Sequence, residues 1–128
     1  MADLRKYFAG RLGTSMKIDK KESADWVRAG DGQFTQIDPK SIDFRGKLTK
    51  QTPQNMDFSI LLRDEINCTI LFFGKRVSAN YTADEERLVI TIPTGPLKGS
   101  LDIYKKGSGT EINAKVFGGQ LLLIYPTA

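Results

Sequence analysis

Residues 56–72 read MDFSILLRDEINCTILF, and this stretch holds two apolar alternations separated by the charged residues RDE. A period of two places alternate side chains on opposite faces of a β-strand. The stretch therefore predicts two antiparallel strands joined by a tight turn. The side chains expected on the core face are Met56, Phe58, Ile60, Leu62, Ile66, Cys68, Ile70 and Phe72.

The same alternation recurs on both sides of this pair, from Ser41 to the end of the chain, with turn residues about every ten positions. We count about eight strands and find no helical stretch long enough to connect parallel strands. The pattern predicts a single antiparallel β-sandwich or β-barrel at residues 41–128. Its other expected core positions are Ile42, Phe44, Leu48, Val77, Ala79, Tyr81, Leu88, Ile90, Ile92, Leu101, Ile103, Ile112, Ala114 and Val116.

Residues 1–40 lack this alternation and are interpreted as an N-terminal arm followed by a connecting segment. Apolar residues at Leu4, Phe8 and Leu12 have helical spacing, which predicts one short helix with Asp3 as its N-cap. The peptide SADWVRAG at residues 23–30 predicts one or two further helical turns that end at a glycine, and the rest of the connecting segment is predicted to be loop with one short strand near Phe34 to Ile37.

Positive charge is concentrated in the arm. The chain has a net charge of +4, and residues 1–21 alone account for all of it. We interpret the arm either as a helix that lays its apolar stripe on its own body, or as a basic amphipathic segment that docks on a neighbouring subunit, on nucleic acid or on an anionic surface. The arm residues expected to make contacts are Leu4, Arg5, Lys6, Tyr7, Phe8, Arg11 and Leu12.

Two predicted strands have apolar residues on both faces. The terminal run LLLIY at residues 121–125 has no polar position, and we place its first, third and fifth residues on the core face. Full burial of one such side chain contributes about 1.5–3 kcal/mol, so we expect the arm or another subunit to cover the opposite face. This second apolar face comprises Leu71, Phe73, Leu122 and Ile124.

Catalytic and metal-binding chemistry is poorly represented in the sequence. The chain has no histidine and one cysteine, Cys68, which excludes the usual nucleophilic triads, thiolate metal sites and intramolecular disulfides. The acidic clusters at residues 64–65 and 84–86 lie in predicted turns, where charged tips are ordinary. We therefore expect no enzyme activity, cofactor or metal, and we expect Cys68 to be buried as a small apolar residue.

No apolar segment at the N-terminus is typical of a secretory signal, and the terminal apolar run is too short to span a bilayer. We expect a cytoplasmic or virion-associated protein with no membrane partner. A basic arm ahead of a neutral β-domain resembles the plan of virus and phage structural proteins such as coat, decoration or tail components. The first functional hypothesis is therefore an assembly protein that packs on copies of itself or on a larger complex.

Two alternatives remain. An OB-like barrel that binds single-stranded nucleic acid needs basic residues beside exposed aromatic rings. The third hypothesis is a small-molecule or carbohydrate-binding β-module. It is disfavoured because the single tryptophan, Trp26, is expected to lie outside the β-body. The clusters that fit nucleic-acid binding are Lys75, Arg76 and Tyr81, and Tyr104, Lys105 and Lys106.

Overall fold

The computed structural model describes residues 1–49, 54–72, 74–106, 109–116 and 120–126, which consist mainly of β-strands. One turn of 3-10 helix, Leu4–Lys6, precedes the strands. No helix among the described residues is long and apolar enough to span a membrane. The strands are β1 (Ser15–Glu22), β2 (Asp25–Ile37), β3 (Ser41–Leu48), β4 (Gln54–Asn55), β5 (Phe58–Leu62), β6 (Asn67–Phe72), β7 (Lys75–Ala83), β8 (Arg87–Ile92), β9 (Gly99–Lys106), β10 (Gly109–Val116) and β11 (Gln120–Pro126).

These strands form one closed antiparallel barrel. Consecutive strands pair along the chain, and β1 pairs with β11 to close the ring. The two-residue β4 and the longer β5 both pair with β3, at different points along its length, and together act as one wall strand. The wall therefore has ten strands, and of the two predicted architectures the barrel is the one observed.

The predicted count of about eight strands is too low. Strands β3 and β5 to β11 lie where the alternation predicted them, whereas β1 and β2 are two further wall strands. The predicted N-terminal arm is not confirmed, because most of residues 1–40 belongs to the barrel wall. The predicted helix at residues 23–30 is wrong: Ser23 lies in the β1–β2 turn with a φ of +52°, and Trp26 lies in β2.

The first predicted helix is shortened to the single turn Leu4–Lys6. Its predicted N-cap is confirmed, since the Asp3 carboxylate accepts a hydrogen bond from the Arg5 backbone N–H at 3.0 Å.

Glycines explain why residues 25–37 form a strand although they look like a loop. A Cβ atom on Gly30 would lie 1.9 Å from the Lys47 carbonyl oxygen, and one on Gly32 would lie 2.6 Å from the Arg45 carbonyl oxygen. At this bend β2 and β3 approach so closely that only glycine fits. The requirement comes from the partner strand, so the local sequence does not reveal it.

The barrel interior is packed with apolar side chains. Five phenylalanine rings form a continuous chain in which neighbouring centroids are 4.9–5.7 Å apart. Aliphatic residues from the other strands join the same core cluster. The interior is therefore a packed core. The five rings are those of Phe8, Phe34, Phe44, Phe58 and Phe72.

The two ends of the barrel differ in what closes them. At one end, here called the capped end, residues 1–13 lie against the connections at residues 38–40, 63–66 and 84–86. At the other, the looped end, Met56 lies between β4 and β5 and Leu97 lies in the β8–β9 connection, and both are buried in the core cluster.

Candidate interaction surfaces

Residues 1–13, here called the N-terminal segment, fold back on their own barrel. The side chains of Leu4, Tyr7 and Phe8 are buried in the core, and the Phe8 ring lies 4.9 Å from that of Phe34. Leu12 is 61% exposed, so the predicted apolar stripe ends at Phe8. The apolar arm residues predicted to contact a neighbour thus contact their own chain in this structure.

Hydrogen bonds join the N-terminal segment to several parts of the capped end. The Leu4 backbone N–H donates to the Pro39 carbonyl at 2.8 Å, and the Tyr7 hydroxyl donates to the Asp84 carbonyl. The Thr110 hydroxyl donates to the Tyr7 carbonyl at 2.6 Å. Buried polar groups of the segment are thereby satisfied by three different connections or strand ends.

Charge complementarity accompanies these contacts. The rim connections at residues 38–40, 63–66 and 84–86 hold six carboxylates and two basic residues, a net charge of −4, whereas the segment's Arg5, Lys6 and Arg11 outnumber Asp3. Lys6 Nζ lies 2.8 Å from Glu85 Oε2, and this hydrogen bond raises the pKa of Lys6 and lowers that of Glu85. Arg5 instead pairs with Asp3 at 2.7 Å.

The acidic clusters stabilise turns. One carboxylate oxygen of Asp64 accepts the backbone N–H groups of Ile66 and Asn67, both at 2.8 Å. Asp84 caps the β7–β8 turn in the same manner, through two backbone N–H groups at 2.9 and 2.8 Å. Hydrogen bonds to the charged form lower the pKa of both aspartates: the Asn67 side chain contributes most at Asp64, and the Glu86 backbone at Asp84.

The predicted orientation of the last strand is wrong. Leu122 and Ile124, assigned to the second apolar face, point into the barrel and are 3% and 1% exposed. Leu121 points outward, and the Tyr125 hydroxyl donates to the Asp19 carboxylate at 2.8 Å outside the core. Leu122 and Ile124 are therefore buried by the barrel interior, and neither the arm nor another subunit is needed to cover them.

The other half of the predicted second face does lie outside the core. Leu71 is on the outer wall of β6 and is 37% exposed, beside Leu61 of β5 at 38%. In the register of this pair Leu61 faces Thr69 and Leu71 faces Ser59, so the two leucines are diagonal neighbours. Phe73 lies outside the described residues. Ile66, predicted in the core, is exposed in the β5–β6 turn.

The residues predicted for nucleic-acid binding are not brought together. Tyr81 points into the barrel, where its hydroxyl donates to the Asp64 carbonyl, so its ring is not available for base stacking. Lys75 and Arg76 follow the β6–β7 turn at the looped end, whereas Tyr104 and Lys105 lie near the capped end. The Tyr104 hydroxyl donates to the Glu111 carboxylate at 2.7 Å. For Lys106 the structure describes the backbone, as the last residue of β9.

Trp26 is a surface feature that the sequence interpretation placed incorrectly. Its ring is 41% exposed on the outer wall and lies over a groove of about 240 Å³. Lys21 Nζ is 5.3 Å from the Trp26 ring centroid, within cation–π range. The groove is lined by Trp26, Ser100, Asp102, Asn113, Ala114, Lys115, Leu121 and Leu122.

Reactive groups are scarce in the described part of the chain. Cys68 is buried, as predicted, and burial raises the pKa of its thiol to about 11, which keeps it protonated near neutral pH. Within the described ranges no group of three or more cysteine, aspartate or glutamate side chains could hold a metal ion.

Comparisons with protein-family models, with curated protein sequences and with solved structures give no match for this chain. Its function is therefore inferred from the surface of the barrel itself.

Proposed function

We propose that this chain is a non-catalytic assembly protein, whose closed barrel packs on copies of itself through two separate apolar patches on its outer wall. The first, the leucine patch, consists of Leu61 and Leu71. The second, the tryptophan patch, consists of Trp26 and Leu121. Their side chains are 36–41% exposed although each wall strand is already paired on both sides.

The position of the two patches is the observation that carries this proposal. Leu71 lies on β6 and Leu121 on β11, five strands apart in a ring of ten, so these two leucines are on opposite sides of the barrel, whereas Trp26 lies on β2, two strands from β11. When the leucine patch of one copy binds the tryptophan patch of another, each copy keeps one free patch. Repeated contacts of this heterologous kind generate rings or filaments. Opposite placement on one rigid body therefore supports repeated head-to-tail packing.

The grouping of the exposed side chains also supports an interface. Single apolar residues on a surface are ordinary, but here they occur in pairs on one face of the wall. Polar residues adjoin both pairs, as a polar rim adjoins the apolar centre of typical interfaces: Ser59 and Thr69 at the leucine patch, and Ser100, Asp102, Asn113 and Lys115 at the tryptophan patch. The interior of the barrel, in contrast, is occupied by one apolar core cluster of the described residues.

Complementary surface variants test this proposal by light scattering over a range of concentrations. We expect the wild-type protein to form a ring or a growing series of oligomers, and Leu71→Ser and Leu121→Ser each to lose this outer-wall packing. In an equimolar mixture of the two variants, a single outer-wall contact should form per pair of chains and growth should stop there, because each variant supplies the patch that the other lacks. Ile66→Ser, which removes an exposed apolar residue outside both patches, is the matched control.

The single tryptophan gives a second readout. Burial of Trp26 in the contact should shift its fluorescence to shorter wavelength as protein concentration rises, and Leu71→Ser should abolish the shift although Leu71 belongs to the other patch, on β6, and Trp26 lies on β2. A wild-type protein that stays monomeric at millimolar concentration, with constant Trp26 emission, would refute the proposal.

A second candidate function, carbohydrate binding, is favoured by the groove beneath Trp26. An exposed indole provides an apolar platform, and Asn113 and Asp102 supply polar groups in the same groove. In a titration of dilute monomer with simple hexoses and disaccharides, saturable quenching of Trp26 that is lost in Asn113→Ala would support this function. Unchanged emission up to 100-fold excess of each sugar would exclude these ligands.

A further inference from the structure

We propose that the N-terminal segment exchanges between two copies of this chain, so that each copy closes the capped end of the other. The occupant of the capped end is then residues 1–8 of a second copy. This contact uses surfaces different from the leucine and tryptophan patches and does not depend on them.

On its C-terminal side the segment contacts the wall through Leu12 and Gly13. Leu12 forms an isolated bridge with Phe34, and the Gly13 N–H donates to the Phe34 carbonyl at 2.9 Å. Beyond that point Leu4, Tyr7 and Phe8 contact the capped end through side chains and single hydrogen bonds, without extended strand pairing. Such contacts can form equally well between two chains.

Two glycines turn the segment back on its own barrel. Gly10 has a φ of +74° and Gly13 a φ of +71°, and the position of a Cβ atom on either has no atom within 4 Å. The left-handed conformation at both positions is therefore required by the direction of the chain and not by crowding. When the segment swings outward, these residues are released to ordinary negative φ values.

Charge complementarity favours the same occupant. The rim of every copy is acidic and the segment of every copy is basic, so the attraction that holds Lys6 on Glu85 also acts between chains. Since the contacts at the capped end are identical in both arrangements, the balance depends on hinge conformation and on protein concentration.

Reciprocal exchange requires the hinge, residues 9–13, to bridge the gap between two facing capped ends. Residues 9–13, fully extended, span at most about 17 Å. Two barrels that face each other with their capped ends can then trade segments about a two-fold axis. The product is a closed dimer and not a filament.

Alanine substitution at the hinge tests the proposal, because alanine disfavours positive φ without adding a clash. For Gly10→Ala and Gly13→Ala we expect the dimerisation constant to rise by roughly 5- to 30-fold per chain for each glycine replaced. The matched control is Gly74→Ala, at a φ of +77° in open space beside β7, which should leave the constant unchanged. Equal monomer fractions in hinge and control variants after long incubation would contradict the proposal.

Cysteine cross-linking identifies the exchanged segment directly. In the double variant Lys6→Cys/Glu85→Cys a short bis-maleimide cross-linker should join the two thiols within one chain, because the long side chains of the native pair span more than a disulfide can. In a mixture of the two single variants, a cross-link between chains of different mass should form only if the segment of one copy sits on the rim of the other. Native Cys68 is buried and does not compete.

The control mixture pairs Lys6→Cys with Asp57→Cys, an exposed position at the looped end. If the double variant cross-links while the mixture stays at the level of this control, the proposed exchange is wrong. Leu71→Ser and Leu121→Ser should leave the cross-link yield unchanged, so that failure of outer-wall packing and failure of exchange are told apart.

Discussion

At the looped end of the barrel, two side chains that close the interior lie between strands that follow each other along the chain: Met56 between β4 and β5, and Leu97 between β8 and β9. At the capped end the closing side chains, Leu4, Tyr7 and Phe8, lie in the segment that precedes the first described strand, β1. All five are buried to a similar degree. Burial alone therefore does not show whether a side chain unfolds together with the barrel or separates from it. The position of the residue along the chain, between two strands or before the first one, makes this distinction.

Truncation of one closing side chain at each end gives the largest expected difference. Phe8→Ala and Met56→Ala remove comparable buried contacts, worth about 3–5 and about 2–5 kcal/mol. We expect Phe8→Ala to release the N-terminal segment while the wall stays folded, because the loss is confined to docking of the segment. Met56→Ala should destabilise the whole barrel.

Native-state hydrogen exchange separates these outcomes. In Phe8→Ala, amides at residues 1–13 should exchange rapidly while wall amides keep their protection. In Met56→Ala, protection should fall across the wall strands and the segment together. If Phe8→Ala lowers protection in β5 and β6 as much as in the segment, the two ends are equivalent and the comparison is wrong.

Two tyrosines allow a finer test of the same difference. Tyr7 donates to the Asp84 carbonyl from the segment, and Tyr81 donates to the Asp64 carbonyl from the wall. Each Tyr→Phe substitution removes one hydroxyl donor and should cost about 0.5–1.5 kcal/mol. Tyr7→Phe should weaken docking of the segment, whereas Tyr81→Phe should lower the free energy of global unfolding in urea.

The double variant Tyr7→Phe/Tyr81→Phe is the control for independence. The two hydroxyls bond different turns, and only Tyr81 also meets the N-terminal segment through the Ala2 backbone, so their effects should add to within about 0.5 kcal/mol. A larger interaction energy would mean that the two acidic turns act as one unit.

Local alternation predicted most of the wall. Phe58, Ile60 and Ile70 lie on the core face as expected, because polar residues between them fix which face is buried. In β11 no polar residue separates the apolar ones, so the sequence could not decide the orientation. Contacts with neighbouring strands set this orientation. On β1, which pairs with β11, the Asp19 carboxylate accepts a hydrogen bond from the Tyr125 hydroxyl outside the wall.

Residues 1–40 were predicted least well because their structure depends on distant partners. Gly30 and Gly32 signal a turn when read locally, yet in the barrel they allow β2 to approach β3. For the N-terminal segment, the apolar spacing did identify Leu4 and Phe8 as a contact surface. The sequence did not reveal which surface they contact, because the acidic rim is assembled from connections at residues 38–40, 63–66 and 84–86, which are far apart in the sequence.

The smallest expected effect is the pH and salt dependence of docking at the capped end. The pKa of Glu85 is lowered by Lys6, so its contribution is present above the ordinary carboxyl range and is lost as pH falls through the lowered value, below about pH 4. The pKa of Lys6 is raised by Glu85 and that of Tyr7 by burial. Their contributions are present below about pH 10 and are lost as pH rises through the raised values.

Docking should therefore be strongest between these limits and weaker in high salt, since the Lys6–Glu85 pair is exposed to screening. The amide signals of Gly10 and Gly13 in NMR spectra report the hinge conformation across a pH series at low and high salt. Glu85→Gln should weaken docking at neutral pH and reduce its salt dependence. Glu86→Gln removes the same charge from the adjacent residue, so an equal response of both variants would attribute the effect to the overall charge of the rim instead of the Lys6–Glu85 pair.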